Sequence, residues 1–446
     1  MPNRSAVFAR DYKAQGRPSI VRGQGMFIED DTGRRYLDAN SSAGVIGIGH
    51  GRTEITDAIA EAGQSLTFVY GGAFTHPWQE KLASAVLSVA PPSMSAVYFI
   101  SGGSEANETA IKMARQYHVE RGKPGKHKLI ARWQSYHGVT LATLSLSGRT
   151  SWRQLFTPYL TPVTHIAPPY EYRCTYCADR GGCTLACADE LERAILLEGP
   201  DTVAAFFAET IVGTTATGLT PRSDYYARVR EICDRHDVLY VADEVLCGYG
   251  RTGKPFAVQH WGVEPDMITM GKAIGSGYAP LGAVVVSEKV VDAYAAGTGR
   301  FVHGFTYSGM PMSCFVGLKV NEIMRRENLF ERPADAGASL MARIEALAER
   351  HECIGEVRGR GLLIGVEFVA DRKTRAPYKR EFGFTAKVAA GMRKRDVIIS
   401  PGVPLANFGK DGDHLQISPP FIIGDAEATM IVEALDGALT DAVRGG

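Results

Sequence analysis

The sequence lacks a net charge. Forty-nine acidic side chains offset 49 Lys and Arg. This balance gives no electrostatic reason to expect DNA, RNA or an anionic membrane surface as a partner. It leaves self-association open, because near-neutral proteins repel one another weakly. Long hydrophobic runs are absent too: no apolar stretch reaches the length of a bilayer span. The opening residues "MPNRSAVFARDYKAQGRP" hold no apolar targeting core, and the final "TDAVRGG" is no lipidation or retention signal, so a cytoplasmic protein is expected. The Gly102-Gly103-Ser104 turn carries neither of the nucleotide-binding patterns G-x-G-x-x-G and G-x-x-x-x-G-K-[ST], which argues against a dinucleotide site and a P-loop there. Repeats of solenoid period and low-complexity tracts are also missing.

What is present is length, strand–helix alternation and clustered polar residues. A chain of 446 residues exceeds one hydrophobic core and implies two or three domains. In its middle, apolar runs such as "AVYFI", "KLIAR", "VAAFFAE", "VLYVADEV", "DMITM" and "AVVVS" alternate with helix-like segments. One of these, "SDYYARVREICDRHD", is amphipathic and is expected to begin at a Ser223 cap. Such alternation predicts an α/β domain with a mainly parallel sheet covered on both faces. Residues 75–327 are assigned to this large domain. Residues 1–74, with a short hairpin at "GMFIEDDTGRRYLDA", and residues 328–446, with a helix near 385–395, are assigned to a smaller α+β domain built from both ends of the chain.

Ligands bind such sheets at the carboxyl ends of the strands. Four clusters fall there: Gly102-Gly103-Ser104 after "VYFI", Tyr136-His137-Gly138 after "KLIAR", Asp243-Glu244 after "VLYVA", and Lys272 after "DMITM". Each has an ordinary reading. A Gly-Gly-Ser turn can be a tight connection and cap. A buried aspartate can pair with a structural arginine, and Tyr and His can be core aromatics with a polar tip. Together they describe a phosphate cup at a helix N-terminus, a stacking ring, a buried carboxylate and a partly desolvated amine. Pyridoxal phosphate needs all four.

The motifs "SGGSEANETAIKMAR", "YHG", "ADEVLCGYGRTG", "DMITMGKAIGSGYAPLGAV", "HGFTYSGMP", "VRGRGLLIGVEF" and "ISPPF" resemble, in order and spacing, those of the class III (ω-type) aminotransferases of the fold type I pyridoxal phosphate family. The resemblance implies Lys272 as the Schiff-base lysine, Asp243 as partner of the pyridine nitrogen, and Tyr136 stacked on the ring with Val245 on its other face. It implies Gly103 and Ser104 as the phosphate cup, with His137 beside the cofactor and Glu209 behind it. Thr210 follows Glu209 where the family usually has proline. Thr306 resembles the threonine that reaches the phosphate from a neighbouring subunit, so a homodimer with interfacial sites, or a tetramer, is implied. The activity implied is ping-pong transfer of an amino group from an amine to a keto acid. Same-fold decarboxylation, phospho-lyase, racemase or aminomutase chemistry is the alternative, and a non-catalytic binding protein is a more remote one.

Two departures bear on substrate. Gln416, in "HLQISPP", stands where many members carry an arginine for an α-carboxylate. Glutamine makes no charged, bidentate contact, so ω-amino acids or simple amines are the expected donors. Gly44 stands near where some relatives have a bulky aromatic, implying a roomier pocket. Arg251 and Arg358 are the remaining candidates for a carboxylate anchor, and both are expected to be structural. Outside the family pattern lie Cys174, Cys177, Cys183 and Cys187, spaced C-x2-C-x5-C-x3-C. This spacing admits a small all-thiolate zinc site, two disulfides or four free thiols. The other four cysteines, Cys233, Cys247, Cys314 and Cys353, are read as small buried hydrophobes.

Overall fold

The computed structural model describes residues 6–8, 10–11, 18–177 and 182–444. Near the N-terminus three short strands, β1 (Ile20–Gln24), β2 (Phe27–Asp30) and β3 (Arg35–Asp38), form an antiparallel meander. The central strands are β4 (Met94–Ile100), β5 (Lys128–Arg132), β6 (Thr164–Ile166), β7 (Val203–Glu209), β8 (Leu239–Asp243), β9 (Met267–Met270) and β10 (Gly282–Ser287). They make one seven-stranded sheet in the order β4-β10-β9-β8-β7-β5-β6. Every residue of β7, β8, β9 and β10 is buried, as expected for strands covered on both faces.

Direction in this sheet follows connection length. β5 to β9 pair in parallel and are joined by helical crossovers, whereas β10 runs antiparallel to both β9 and β4. Residues 271–281 are occupied by the Lys272 turn and cannot also hold a crossover helix.

The remaining strands are β11 (Ile354–Arg360), β12 (Leu363–Phe368), β13 (Val397–Ile398), β14 (Ser400–Pro401) and β15 (Asp413–Ile417). β11, β12, β15 and β14 form a second four-stranded sheet. β13 pairs in parallel with β3, Val397 against Leu37, so the two ends of the chain share a sheet. Helix Phe384–Lys394 packs on helix Asp425–Arg444 over these sheets. The fold is thus mixed α/β, with a large, mostly parallel sheet and smaller sheets contributed by the chain ends.

One local expectation changes and another holds. Helix Tyr225–Arg235 starts after Asp224, not at Ser223, and no side-chain cap bond is made there. Asp224 is instead drawn to Arg222, two residues earlier. The helix expected near 385–395 runs Phe384–Lys394. Among the described residues no helix is long and apolar enough to cross a membrane.

Of the three readings of the cysteine-rich segment, the described residues bear out free thiols, and the zinc site is not supported. All eight cysteines are free, and among the described residues no group of three or more His, Cys, Asp or Glu side chains is disposed to hold a metal ion. Cys177 hydrogen-bonds to Thr184 through both the hydroxyl (3.3 Å) and the backbone N–H (3.4 Å), and also contacts Cys174 and Cys183. Cys187 packs into the main hydrophobic core with Leu191, and burial pushes its thiol up to about 12. It behaves as a small hydrophobe rather than a thiolate ligand.

Candidate active site

The carboxyl ends of β4, β5, β7, β8 and β9 open onto one cavity of about 160 Å³. Gly103, Ser104, Tyr136, His137, Glu209, Asp243, Val245 and Lys272 all line it, although they come from five separate segments. Strand register brings them level: Glu209 pairs with Asp243, and Asp243 with Thr269, three residues before Lys272.

Asp243 is 3% exposed and held from three sides. Its Oδ2 accepts from His137 Nδ1 and Asn107 Nδ2, both at 2.8 Å, and its Oδ1 accepts from the Val245 N–H at 3.0 Å. A carboxylate has about four acceptor sites, so room is left for one further donor from a ligand. Asn107 is itself fixed, donating to the His137 carbonyl at 2.9 Å and accepting from the Thr269 hydroxyl at 3.1 Å. It stands one helical turn after Gly103 on helix Gly103–Glu120 and was not singled out from sequence. Its signal was a lone amide on the otherwise small and apolar buried face of Ala106, Ala110 and Ala114.

The N-terminus of that helix forms the cup. Gly102 is its N-cap and offers no side-chain bond, so the first-turn N–H groups stay available to a ligand. Gly103 is required by contact: a Cβ there would lie 2.6 Å from Val245 Cγ1. Gly138 is required by both backbone and contact, with φ +140° and a Cβ position 2.6 Å from Ser104 Oγ. Ser104 Oγ accepts from the Val139 N–H at 3.2 Å.

Glu209 braces the next wall. Its Oε2 accepts from the Tyr136 N–H and its Oε1 from the Gly213 N–H, each at 2.9 Å, and burial raises its carboxyl above the usual range. Tyr136 meets Trp152 edge-on, ring centres 5.9 Å apart, and burial raises its phenol.

Lys272 follows an extended Gly271 and sits at φ +49°, a left-handed conformation that side-chain-bearing residues rarely hold. Strain of this kind persists where surrounding structure imposes it, and it clusters at functional sites. Lys272 keeps some accessible surface because it borders the cavity, yet its surroundings are dense enough for burial to lower its amine, against the opposing pull of Asp243 and Glu209. Its Nζ makes no hydrogen bond among the described residues.

Other expected residues lie elsewhere. Thr306 is exposed on the turn after Phe305 and does not reach the cavity of its own chain. Gly44 (φ +76°) and Gln416 are neighbours at the cavity edge: a Cβ on Gly44 would stand 3.4 Å from Leu246 and 3.8 Å from Gln416 Nε2. Gln416 is buried and donates to Ser418 Oγ at 2.9 Å. Arg251 donates to the carbonyls of Leu362 (3.1 Å) and Pro419 (2.5 Å) and to Ser41 Oγ (3.2 Å), and lies over the Phe421 ring. Arg358 is taken up by Glu356, Glu367 and the Thr217 carbonyl. Both guanidinium groups are engaged in holding the fold.

The residues present suit pyridoxal phosphate: a glycine cradle that Cβ atoms would fill, a buried carboxylate with one acceptor site open, and an unpartnered amine. The comparisons agree. The family model for class III aminotransferases matches residues 9–439. A putrescine–pyruvate aminotransferase of Pseudomonas aeruginosa is 36% identical, covering 95% of this chain and 91% of its own. A diaminobutyrate–2-oxoglutarate transaminase of Halomonas elongata is 35% identical, covering 98% and 94%. The solved structure of an amine transaminase from an uncultivated Pseudomonas species, in its pyridoxal phosphate-bound form, superposes with a TM-score of 0.91 at 34% identity over 99% of this chain and 98% of that one. The chain belongs to the class III aminotransferase family and is a pyridoxal phosphate-dependent transaminase.

Proposed function

We propose that the protein transfers the amino group of an ω-amino acid or primary amine to a keto acid, pyruvate or 2-oxoglutarate, in two alternating half-reactions. The observation that carries this reading is the placement of Lys272, with a lowered amine, on the same cavity as the triply held Asp243. When bound, pyridoxal phosphate supplies the aldehyde that receives the amino group and a ring that accepts the electron pair of the substrate carbon. Asp243 holds a proton on the ring nitrogen, and His137, Asn107 and the Val245 N–H keep its carboxylate aimed there. Gly103, Ser104 and the helix N-terminus hold the phosphate. Tyr136 and Val245 confine the ring between them, and Glu209 keeps Tyr136 in place through its backbone.

With cofactor and donor bound, Lys272 Nζ would accept the proton from the substrate carbon and later release it. Its lowered pKa leaves more of it neutral, and able to accept, than an exposed lysine at the same pH. Donor class follows from Gln416, which is uncharged and already bonded to Ser418. Thr306 is proposed to complete the phosphate site of a second copy. Exposed apolar side chains beside its turn, including Phe68 and Tyr307 in edge contact at 6.1 Å, favour such a homodimer.

A donor-by-acceptor screen tests the proposal. Alanine from pyruvate or glutamate from 2-oxoglutarate is expected with ω-amino acids or amines. Formation of neither from any donor, with cofactor bound, would sink it.

A further inference from the structure

Beside the cofactor cavity lies a larger chamber of about 720 Å³ that sequence reasoning did not foresee. Gln134, Arg149 and Thr215 line one side and Leu405, Asn407 and Phe408 the other. The two spaces adjoin, because Thr214 faces the cavity and Thr215 the chamber, and Gln134 stands two residues before Tyr136. Residues at their shared border are held in place: Gln134 donates to the Leu405 carbonyl at 2.7 Å, and Thr215 donates to the Gln134 carbonyl at 2.5 Å.

Arg149 is unlike the other arginines around this chamber. Arg173 is spent on Glu367 (2.6 Å) and the Arg375 carbonyl (2.7 Å). Arg153 donates to the carbonyls of Leu144, Ser145 and Ser147. Arg149 makes no side-chain hydrogen bond or ion pair among the described residues, and its Nε is buried without a partner. Its guanidinium lies 3.7 Å from the centre of the Trp152 ring, and Trp152 in turn meets Tyr136. Gly148 holds Arg149 there through two hydrogen bonds to Ser135, one to the carbonyl and one to Oγ, leaving no room for a Cβ against the backbone of Arg132 and Gln134.

No Asp or Glu lines the chamber among the described residues. Arg10 adds a further positive charge near Arg149 and Tyr136. Burial without an acid makes the guanidinium costly and lowers its pKa. A planar, half-buried fork with no acid partner among the described residues, facing a chamber lined by Leu405 and Phe408, is suited to a carboxylate.

We propose that Arg149 binds the distal carboxylate of an ω-amino acid donor whose carbon chain lies in the chamber, supplying the charge that Gln416 does not. This rests on the transaminase reading and deepens it. Arg149 takes no part in proton transfer, so its loss should weaken donor binding and spare the reaction step.

The test uses the cofactor-loaded enzyme and Arg149→Met and Arg149→Lys variants, mixed with donor alone while the visible absorbance of the cofactor is followed. 4-Aminobutanoate and 1-butylamine share a chain and differ in the carboxylate. For Arg149→Met the half-saturating 4-aminobutanoate is expected to rise about tenfold or more, the range for losing a charged hydrogen bond, with the limiting rate kept. Arg149→Lys should fall between, and 1-butylamine should shift less than about twofold. Equal shifts for both donors, or no shift, overturn the proposal.

Pentanoate, which has no amine to react, separates the two readings. If wild type converts neither donor, the ω-amino donor class of the proposed function fails on its own, while membership of the transaminase family stands. Calorimetric binding of pentanoate that weakens about tenfold in Arg149→Met would still uphold the anchor. Absent or unchanged pentanoate binding overturns it. Should Arg149→Met fail to hold cofactor, the Arg149→Lys comparison decides by the same criteria.

Discussion

The cofactor cavity and the neighbouring chamber are built on different plans. The cavity is small and formed by the ends of five central strands, and its polar groups are cross-braced: Asp243 by three donors, Glu209 by two backbone N–H groups. The chamber is more than four times larger, its far wall is the 403–409 loop, and its charged Arg149 has no brace but an aromatic face. Rigid strand ends suit groups whose positions must match one invariant cofactor. Loops on a rigid scaffold suit the part that chooses among substrates. The cavity should therefore govern rate and the chamber should govern affinity.

Lys272→Ala is the sharpest way to break that division. It should cost at least ~10³-fold in turnover and abolish the visible absorbance of lysine-bound cofactor, since nucleophile and base vanish together. A variant that kept the absorbance would remove Lys272 from its role. Asp243→Asn should lower turnover about 10²–10³-fold while donor half-saturation moves little, because a stabilising charge is lost where charge develops. A change confined to donor affinity would contradict the scheme.

Glu209→Gln is gentler and reads out in pH. Burial lowers the Lys272 amine, while the charges of Asp243 and Glu209 pull it up. The donor half-reaction should accordingly rise with pH and level off below the ordinary lysine value of 10.5. Removing the Glu209 charge should move that rise to lower pH. An upward move would contradict the sign. The smallest effect belongs to the chamber rim. Phe408 is 88% exposed, so Phe408→Ala should leave stability and limiting rate alone and change half-saturation by bulky donors only a few-fold. A large loss of turnover there would erase the distinction between the two spaces.

Much of the cavity was legible because strand ends are marked locally. An apolar run that stops at Asp243 or before Lys272 announces both the strand and the exposed rim. β10 was legible as a strand but not in direction, which depends on what residues 271–281 are used for. Asn107 and Arg149 were illegible for another reason. Each acquires meaning only from residues distant in sequence: Asn107 from Asp243, and Arg149 from the lack of any acid, among the described residues, along walls drawn from five separate parts of the chain. The cysteine spacing left three readings open because spacing says nothing of side-chain direction; the thiols are free, and Cys187 turns into the core.

Arg251 has a consequence for the order in which the molecule can be made. Its one guanidinium joins Ser41, Leu362 and Pro419, and the β3 edge near Leu37 is completed only by Val397. During synthesis the N-terminal strands leave the ribosome hundreds of residues before their partners exist. They must wait, with an open sheet edge, while the central sheet assembles. Closure of the molecule is therefore a late event, after translation of the final segment, and a chain stopped before residue 397 would carry a finished cofactor sheet beside an N-terminal strand edge free to pair with other chains.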